Sequence, residues 1–248
     1  MLAEFNNTGD ISALVLLAVL GFTFAFGFAM FRWMLTVHRR QQLENRVLNQ
    51  ALNFFPFHSQ SFTPNRPNCW LAIRSVSPEA VKMTLGLNRA APCSWEEGLA
   101  GGHEFFISPR VHGWVIVTGL GLPHPSDDVD ATFLFLTALS KQLGHVQYFY
   151  ASRLMHHHAW ARLDEGCVTR AYAWAGETVW NQGAETLPEI EIGVKTFAYG
   201  DNTGTILDAE TNFEKVPALA ARWSLDPAEV RLHSSRQATG IAGESAIN

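Results

Sequence analysis

The feature that most constrains this chain is an uncharged, apolar stretch near its N-terminus, Ile11–Phe31. A helix rises about 1.5 Å per residue, so this stretch would extend about 31 Å, close to the thickness of the hydrocarbon core of a bilayer. Backbone groups inside that core must pair with one another, which favours a helix. The sequence therefore predicts a transmembrane helix over residues 11–36, with the lipid bilayer as a partner through Ile11–Phe31.

The charges on either side of this stretch predict its orientation. Glu4 and Asp10 precede it, whereas Arg32, Arg39 and Arg40 follow it. Positive residues favour the cytoplasmic side of a membrane. An acidic N-terminus and a long apolar run also disfavour a cleaved signal peptide. We therefore expect a single-pass membrane protein whose C-terminal domain lies in the cytoplasm.

The charge and the aromatic content of the remaining chain predict a folded domain that does not bind nucleic acid. From Ser61 onward, 14 Lys and Arg residues stand against 20 Asp and Glu residues, a net charge near −6. Neutralising nucleic-acid phosphates requires a basic surface, which this balance disfavours. Disordered segments are poor in large aromatic residues, and seven tryptophans follow the predicted transmembrane helix (11–36). They are Trp70, Trp95, Trp114, Trp160, Trp174, Trp180 and Trp223.

Proline, glycine and apolar patterns divide the chain into five parts and predict an α+β fold. Between Cys69 and Tyr150 they indicate the order strand, helices, strand, strand, helix, strand. This is the order of a ferredoxin-like (βαββαβ) unit with an antiparallel or mixed sheet. A β-hairpin and C-terminal helices extend it. The parts are a short tail (1–10), the transmembrane helix (11–36), a juxtamembrane helix and linker (37–68), the soluble domain (69–227) and a flexible tail (228–248).

Large aromatic and arginine side chains alternate along both strands of the predicted hairpin. They are Trp160 and Arg162 on the first strand, and Arg170, Tyr172 and Trp174 on the second. Alternation places each set on one face of its strand. Because Trp, Tyr and Arg are frequent anchors of protein interfaces, this strip is a candidate contact surface for a protein partner. The alternative is a buried aromatic layer with arginine stems at its edge.

Three adjacent histidines, His156 to His158, are a candidate metal site. In a strand, His156 and His158 share one face and could supply two metal ligands. The alternative is that these rings pack against Trp160 and Trp174. No other cofactor is indicated. A metal would need a third ligand from elsewhere in the chain, and the candidates are His145, Asp127, Asp128 and Glu177.

Three short motifs occur in order along the soluble part: Trp95-Glu-Glu-Gly98, His157-His-Ala-Trp160 and Arg170-Ala-Tyr-Ala-Trp-Ala-Gly176. Together they resemble an uncharacterised family of bacterial proteins. The resemblance implies a bacterial source, and hence the bacterial inner (plasma) membrane as the location. It implies no catalytic residue, cofactor or partner.

These observations favour a membrane-anchored cytoplasmic binding or interaction module over an enzyme. The chain contains no Walker A lysine, no G-x-S-x-G elbow and no H-E-x-x-H motif. One specific version of the binding hypothesis is an immunity- or defence-associated protein that neutralises a partner at the membrane. The alternative is a metal-dependent hydrolase that uses His156 and His158, which metal analysis of the purified domain would distinguish.

Overall fold

The computed structural model describes Gly21 and residues 67–74, 76–100, 102–201, 206–228 and 239–245, with side chains of the fifth helix described from Asn212 onward. The chain divides into two compact units, Met1–Phe62 and Thr63–Asn248. Within the first unit the description covers Gly21 alone, so the predicted transmembrane helix over residues 11–36 otherwise lies outside the described residues. Among the residues that are described, no helix combines the length and apolar character needed to cross a bilayer.

The described part of the second unit contains nine strands and five helices. The strands are β1 (Cys69–Arg74), β2 (Leu87–Cys93), β3 (Phe105–Ile107), β4 (Trp114–Thr118), β5 (Val146–Ser152), β6 (His157–Asp164), β7 (Cys167–Trp174), β8 (Thr178–Gln182) and β9 (Gly240–Ser245). The helices are α1 (Pro78–Thr84), α2 (Trp95–Leu99), α3 (Val129–Leu143), α4 (Leu187–Ile192) and α5 (Ile206–Trp223).

Side-chain caps fix where the first three helices begin. The Ser77 hydroxyl accepts from the Ala80 amide before α1, and Ser94 forms a reciprocal capping box with Glu97 at the start of α2. The Asp128 carboxylate accepts from the Ala131 amide before α3. Such caps satisfy amides that the first turn of a helix leaves unpaired.

All nine strands pair antiparallel in one sheet, in the order β2-β9-β3-β4-β1-β5-β6-β7-β8. Helices cover both faces of this sheet. Leu71 and Ile73 of β1 pack on the first face, which α1 and α3 cover, whereas Trp70 and Ala72 pack on the second face, which α2, α4 and α5 cover. Because β1 is buried on both sides, its sequence is an almost continuous apolar run.

The predicted fold class, a transmembrane helix followed by a ferredoxin-like domain with an added hairpin, is therefore wrong. The finding that overturns it is a nine-stranded antiparallel sheet with helices on both faces. The prediction lacked β2 and β9, which continue the sheet beyond β3. Both strands carry few of the β-branched and aromatic residues by which strands are recognised.

The expected flexible tail over 228–248 is also wrong for Gly240–Ser245. These residues form β9, which lies between β2 and β3 and pairs with both. Gly240 allows close approach here, because a Cβ on it would lie 2.4 Å from the Ile107 carbonyl oxygen. Glycine and alanine in this segment resemble a tail in sequence, but small residues are what a crowded interior strand position requires.

Candidate binding site on the second face of the sheet

The hairpin of β6 and β7 brings the five predicted contact residues onto the second face. Trp160 lies opposite Tyr172, and Arg162 lies opposite Arg170, while Trp174 lies opposite His158. Four of the five are interior, with exposed fractions of 0% for Trp160, 1% for Arg170, 0% for Tyr172 and 8% for Trp174. We call these four the buried strip. A partner cannot reach them while α4 and α5 cover this face.

One carboxylate of α4 organises the polar atoms of the buried strip. Glu189 Oε1 accepts from the Trp160 indole nitrogen at 2.7 Å and from Arg170 Nε at 2.8 Å. Its Oε2 accepts from the backbone amide and the hydroxyl of Thr186 at 2.6 and 2.8 Å. Arg170 Nη1 also donates to Asn181 Oδ1 at 2.9 Å. A buried ion pair persists only when its atoms are hydrogen-bonded in this way.

The neighbouring His158 is an interior residue that contacts α5. Its Nε2 lies 3.3 Å from Asn212 Nδ2, and its ring stacks on Trp160 with 5.8 Å between centroids. Burial lowers the pKa of His158 to about 3, so the ring is neutral near pH 7 and accepts from the Asn212 amide. Asn212 in turn pairs with both the amide and the carbonyl of Lys195.

The structure separates the two histidines that the metal hypothesis needs together. His156 is exposed in the turn before β6, with φ of 53°, whereas His158 is buried within β6. Strand alternation does not apply to His156, because β6 begins one residue later. The described residues contain no group of three or more His, Cys, Asp or Glu side chains that could hold a metal ion.

A second group of side chains lies on the same face near the start of β5, and we call it the arginine–tryptophan cluster. The Arg74 guanidinium carbon lies 5.9 Å from the centre of the Trp114 ring, and that of Arg162 lies 5.2 Å from the Trp223 ring. Both distances fall within the cation–π range. Arg74 is exposed and the other three are half-buried, so a partner can reach them. The cluster consists of Arg74, Trp114, His145, Gln147, Arg162, Asp164 and Trp223.

The interior edge of this cluster is held by hydrogen bonds. Gln147 Nε2 donates to the Trp223 carbonyl at 3.2 Å and lies 2.9 Å from His145 Nε2. His145 Nε2 must then accept, so Nδ1 carries the proton and donates to Asp164 Oδ1 at 2.5 Å. Both ring nitrogens of His145 therefore have hydrogen-bond partners. These bonds hold the ring in an edge-type contact with Trp114, which gives His145 a structural role.

Sequence reasoning identified Arg162 but missed most of this cluster. Trp114 belongs to β4 and Arg74 to β1, and the two become cross-strand partners only in the folded sheet. Gln147 is likewise opposite Arg162. Alternation along each strand assigns these residues to one face of that strand, but it does not say which strands are neighbours.

Comparison of the chain with protein-family models, with curated proteins and with solved structures gives no match. The resemblance to a bacterial family, drawn from three short motifs, therefore stays a prediction.

Proposed function

We propose that this domain is an interaction module that binds a protein partner through the arginine–tryptophan cluster. One observation carries the proposal: Arg74 and Arg162 each lie over a tryptophan ring at one open end of the sheet face, whereas Arg170, opposite Arg162 on β7, is buried and paired with Glu189. Arginine and tryptophan are the side chains most enriched among the energetically dominant residues of interfaces.

The architecture supports this assignment. Trp114 and Arg74 are cross-strand partners, so their relative position is fixed by the backbone of two central strands. Gln147, which is 1% exposed, holds Trp223 and His145 in place by hydrogen bonds to both residues. Side chains that are ordered before binding lose less conformational entropy when a partner arrives.

Site-specific photo-cross-linking of the full-length protein in its native cells tests the proposal. A photoreactive residue replaces His112, which is exposed in the turn before Trp114. We expect an adduct of one discrete mass, lost when Trp114→Leu or Arg74→Leu is added. A photoreactive residue at Met83, 75% exposed on α1 on the first face, is the control and should give no adduct.

Two results would contradict the proposal. One is an adduct at position 112 that survives both added substitutions, and the other is the same adduct from position 83. Because Trp114 is half-buried, the thermal unfolding midpoint of each variant is measured as well. If Trp114→Leu lowers this midpoint, the comparison relies on Arg74→Leu, which replaces an exposed side chain.

A further inference from the structure

Two guanidinium groups of the arginine–tryptophan cluster have no carboxylate partner within the part of the chain that the structure describes. The Nε atom of Arg162 is buried and lacks a hydrogen-bond acceptor. Asp164 is the one acidic residue of the cluster, and its Oδ1 accepts from His145. Arg74 is exposed and Arg162 is half-buried, so a ligand can reach both guanidinium groups, although not the buried Nε atom of Arg162.

Contact with an indole ring leaves a guanidinium able to bind an anion. The guanidinium carbons of Arg74 and Arg162 lie over the Trp114 and Trp223 rings at 5.9 and 5.2 Å. The planar guanidinium presents N–H groups along its edge, and a carboxylate matches this edge with two parallel hydrogen bonds. Each arginine therefore offers a position for one carboxylate.

The spacing of the two arginines indicates how many anionic groups the ligand carries. Arg74 lies on β1 and Arg162 on β6, with β5 between them. Neighbouring strands lie about 4.8 Å apart, so the two backbones are roughly 10 Å apart. Two acidic side chains on one peptide segment can span this backbone separation, with one carboxylate at each guanidinium.

The overall charge distinguishes a short acidic segment from a nucleic acid. Binding a nucleic acid requires cations along its phosphate backbone, whereas this cluster offers two arginines on a part of the chain whose net charge, from Ser61 onward, is near −6. Two acidic side chains need no cations beyond Arg74 and Arg162. The chemistry of the site therefore favours acidic side chains over phosphodiesters.

We infer that the partner presents an acidic segment, with at least two Asp or Glu side chains, to Arg74 and Arg162. This inference rests on the proposed function and specifies the chemistry that the cluster recognises. The tryptophan rings beneath the arginines hold the guanidinium groups and supply apolar contact to the stems of the acidic side chains.

Binding of fluorescently labelled poly-L-glutamate to the full-length protein, followed by anisotropy, tests the inference. We expect saturable binding that weakens as salt is raised, and at least tenfold weaker competition by acetate or inorganic phosphate at equal charge. Arg74→Gln and Arg162→Gln should each weaken binding at least fivefold, and the lysine variants should restore part of it. Arg153, which lies over the Phe213 ring at the opposite end of β5, is the matched control, and Arg153→Gln should leave binding unchanged.

The inference is overturned if poly-L-glutamate does not bind, if acetate or phosphate competes equally well, or if Arg153→Gln weakens binding as much as Arg162→Gln. Cross-linking at position 112 that depends on Trp114, together with no binding of poly-L-glutamate, would overturn the acidic partner and leave the proposed function standing. Failure of both measurements would overturn both.

Discussion

Arg162 and Arg170 are cross-strand partners on the same face of the sheet, yet their surroundings are opposite. Arg170 is 1% exposed and ion-paired to Glu189 at 2.8 Å. Arg162 is half-buried and its guanidinium carbon lies 5.2 Å from the centre of the Trp223 ring. The two positions show that one step across a hairpin separates an arginine used to hold the fold from one that is available for contacts.

The difference arises from the helix that covers each residue. Glu189 of α4 lies over Arg170 and supplies the opposite charge, whereas the end of α5 places the aromatic ring of Trp223 against Arg162. A buried arginine requires a carboxylate, because leaving its charge unpaired is costly. A half-buried arginine keeps its water contacts and needs only a surface for its planar group.

The largest effect on stability should follow from removing the negative charge of Glu189, which pairs with Arg170 in the buried strip. Glu189→Gln leaves Arg170 without its counter-charge in the interior, and we expect unfolding free energy to fall by about 3–5 kcal/mol in denaturant titrations. The matched control is Glu191→Gln, two residues along α4, which breaks an exposed ion pair to Arg222 and should cost under about 1 kcal/mol. Equal losses for the two variants would show that the buried pair is not what holds α4.

An intermediate effect should appear when the pH is lowered. The pKa of His158 is lowered by burial to about 3, against about 6.5 in the unfolded chain. Between these values the unfolded state binds more protons, so stability is present above pH 6.5 and falls as the pH decreases. From pH 7 to pH 5 this residue alone should cost about 2 kcal/mol.

Comparing the pH dependence of two variants isolates this contribution. His158→Gln should remove that share of the acid sensitivity, and His156→Gln, in the exposed turn two residues earlier, should leave it in place. A wild-type stability that is flat between pH 7 and pH 5 would contradict the burial of a neutral imidazole at this position.

The smallest effect on stability should come from the open arginine. Arg162→Gln removes a half-buried cation–π contact with Trp223, which contributes about 0.5–1 kcal/mol. We expect an unfolding free energy within about 1 kcal/mol of wild type and, at the same time, the weakening of poly-L-glutamate binding by at least fivefold described above. A loss of several kcal/mol would show that Arg162 is a second structural arginine and would remove the contrast with Arg170.

Local signals in the sequence predicted many individual elements but not their arrangement. The apolar run Cys69–Arg74 forms β1, and Ser77 and Ser94, a residue type that favours the N-terminus of a helix, cap α1 and α2. Asp128 caps α3. Caps and glycine stops act within a few residues, so they can be recognised without knowledge of the fold.

The site depended on contacts that no local pattern encodes. Alternation correctly grouped Trp160 with Arg162, and Tyr172 with Arg170, because both pairs lie within one strand. Whether such a face is open or covered depends on α4 and α5, which follow later in the chain. Glu189 neutralises Arg170 in the interior. The sequence around Glu189 indicates only an acidic residue in the first turn of a helix.

The insertion of β9 between β2 and β3 sets an order for assembly during synthesis. Strand β3 pairs with β4 nearby in sequence, but its other edge stays open until Gly240–Ser245 arrives. Strand β2 has no neighbour in the described sheet except β9. One flank of the domain therefore becomes complete only after residues up to Ser245 have been made. A chain that stopped before Gly240 would present an unprotected strand edge prone to association with other chains.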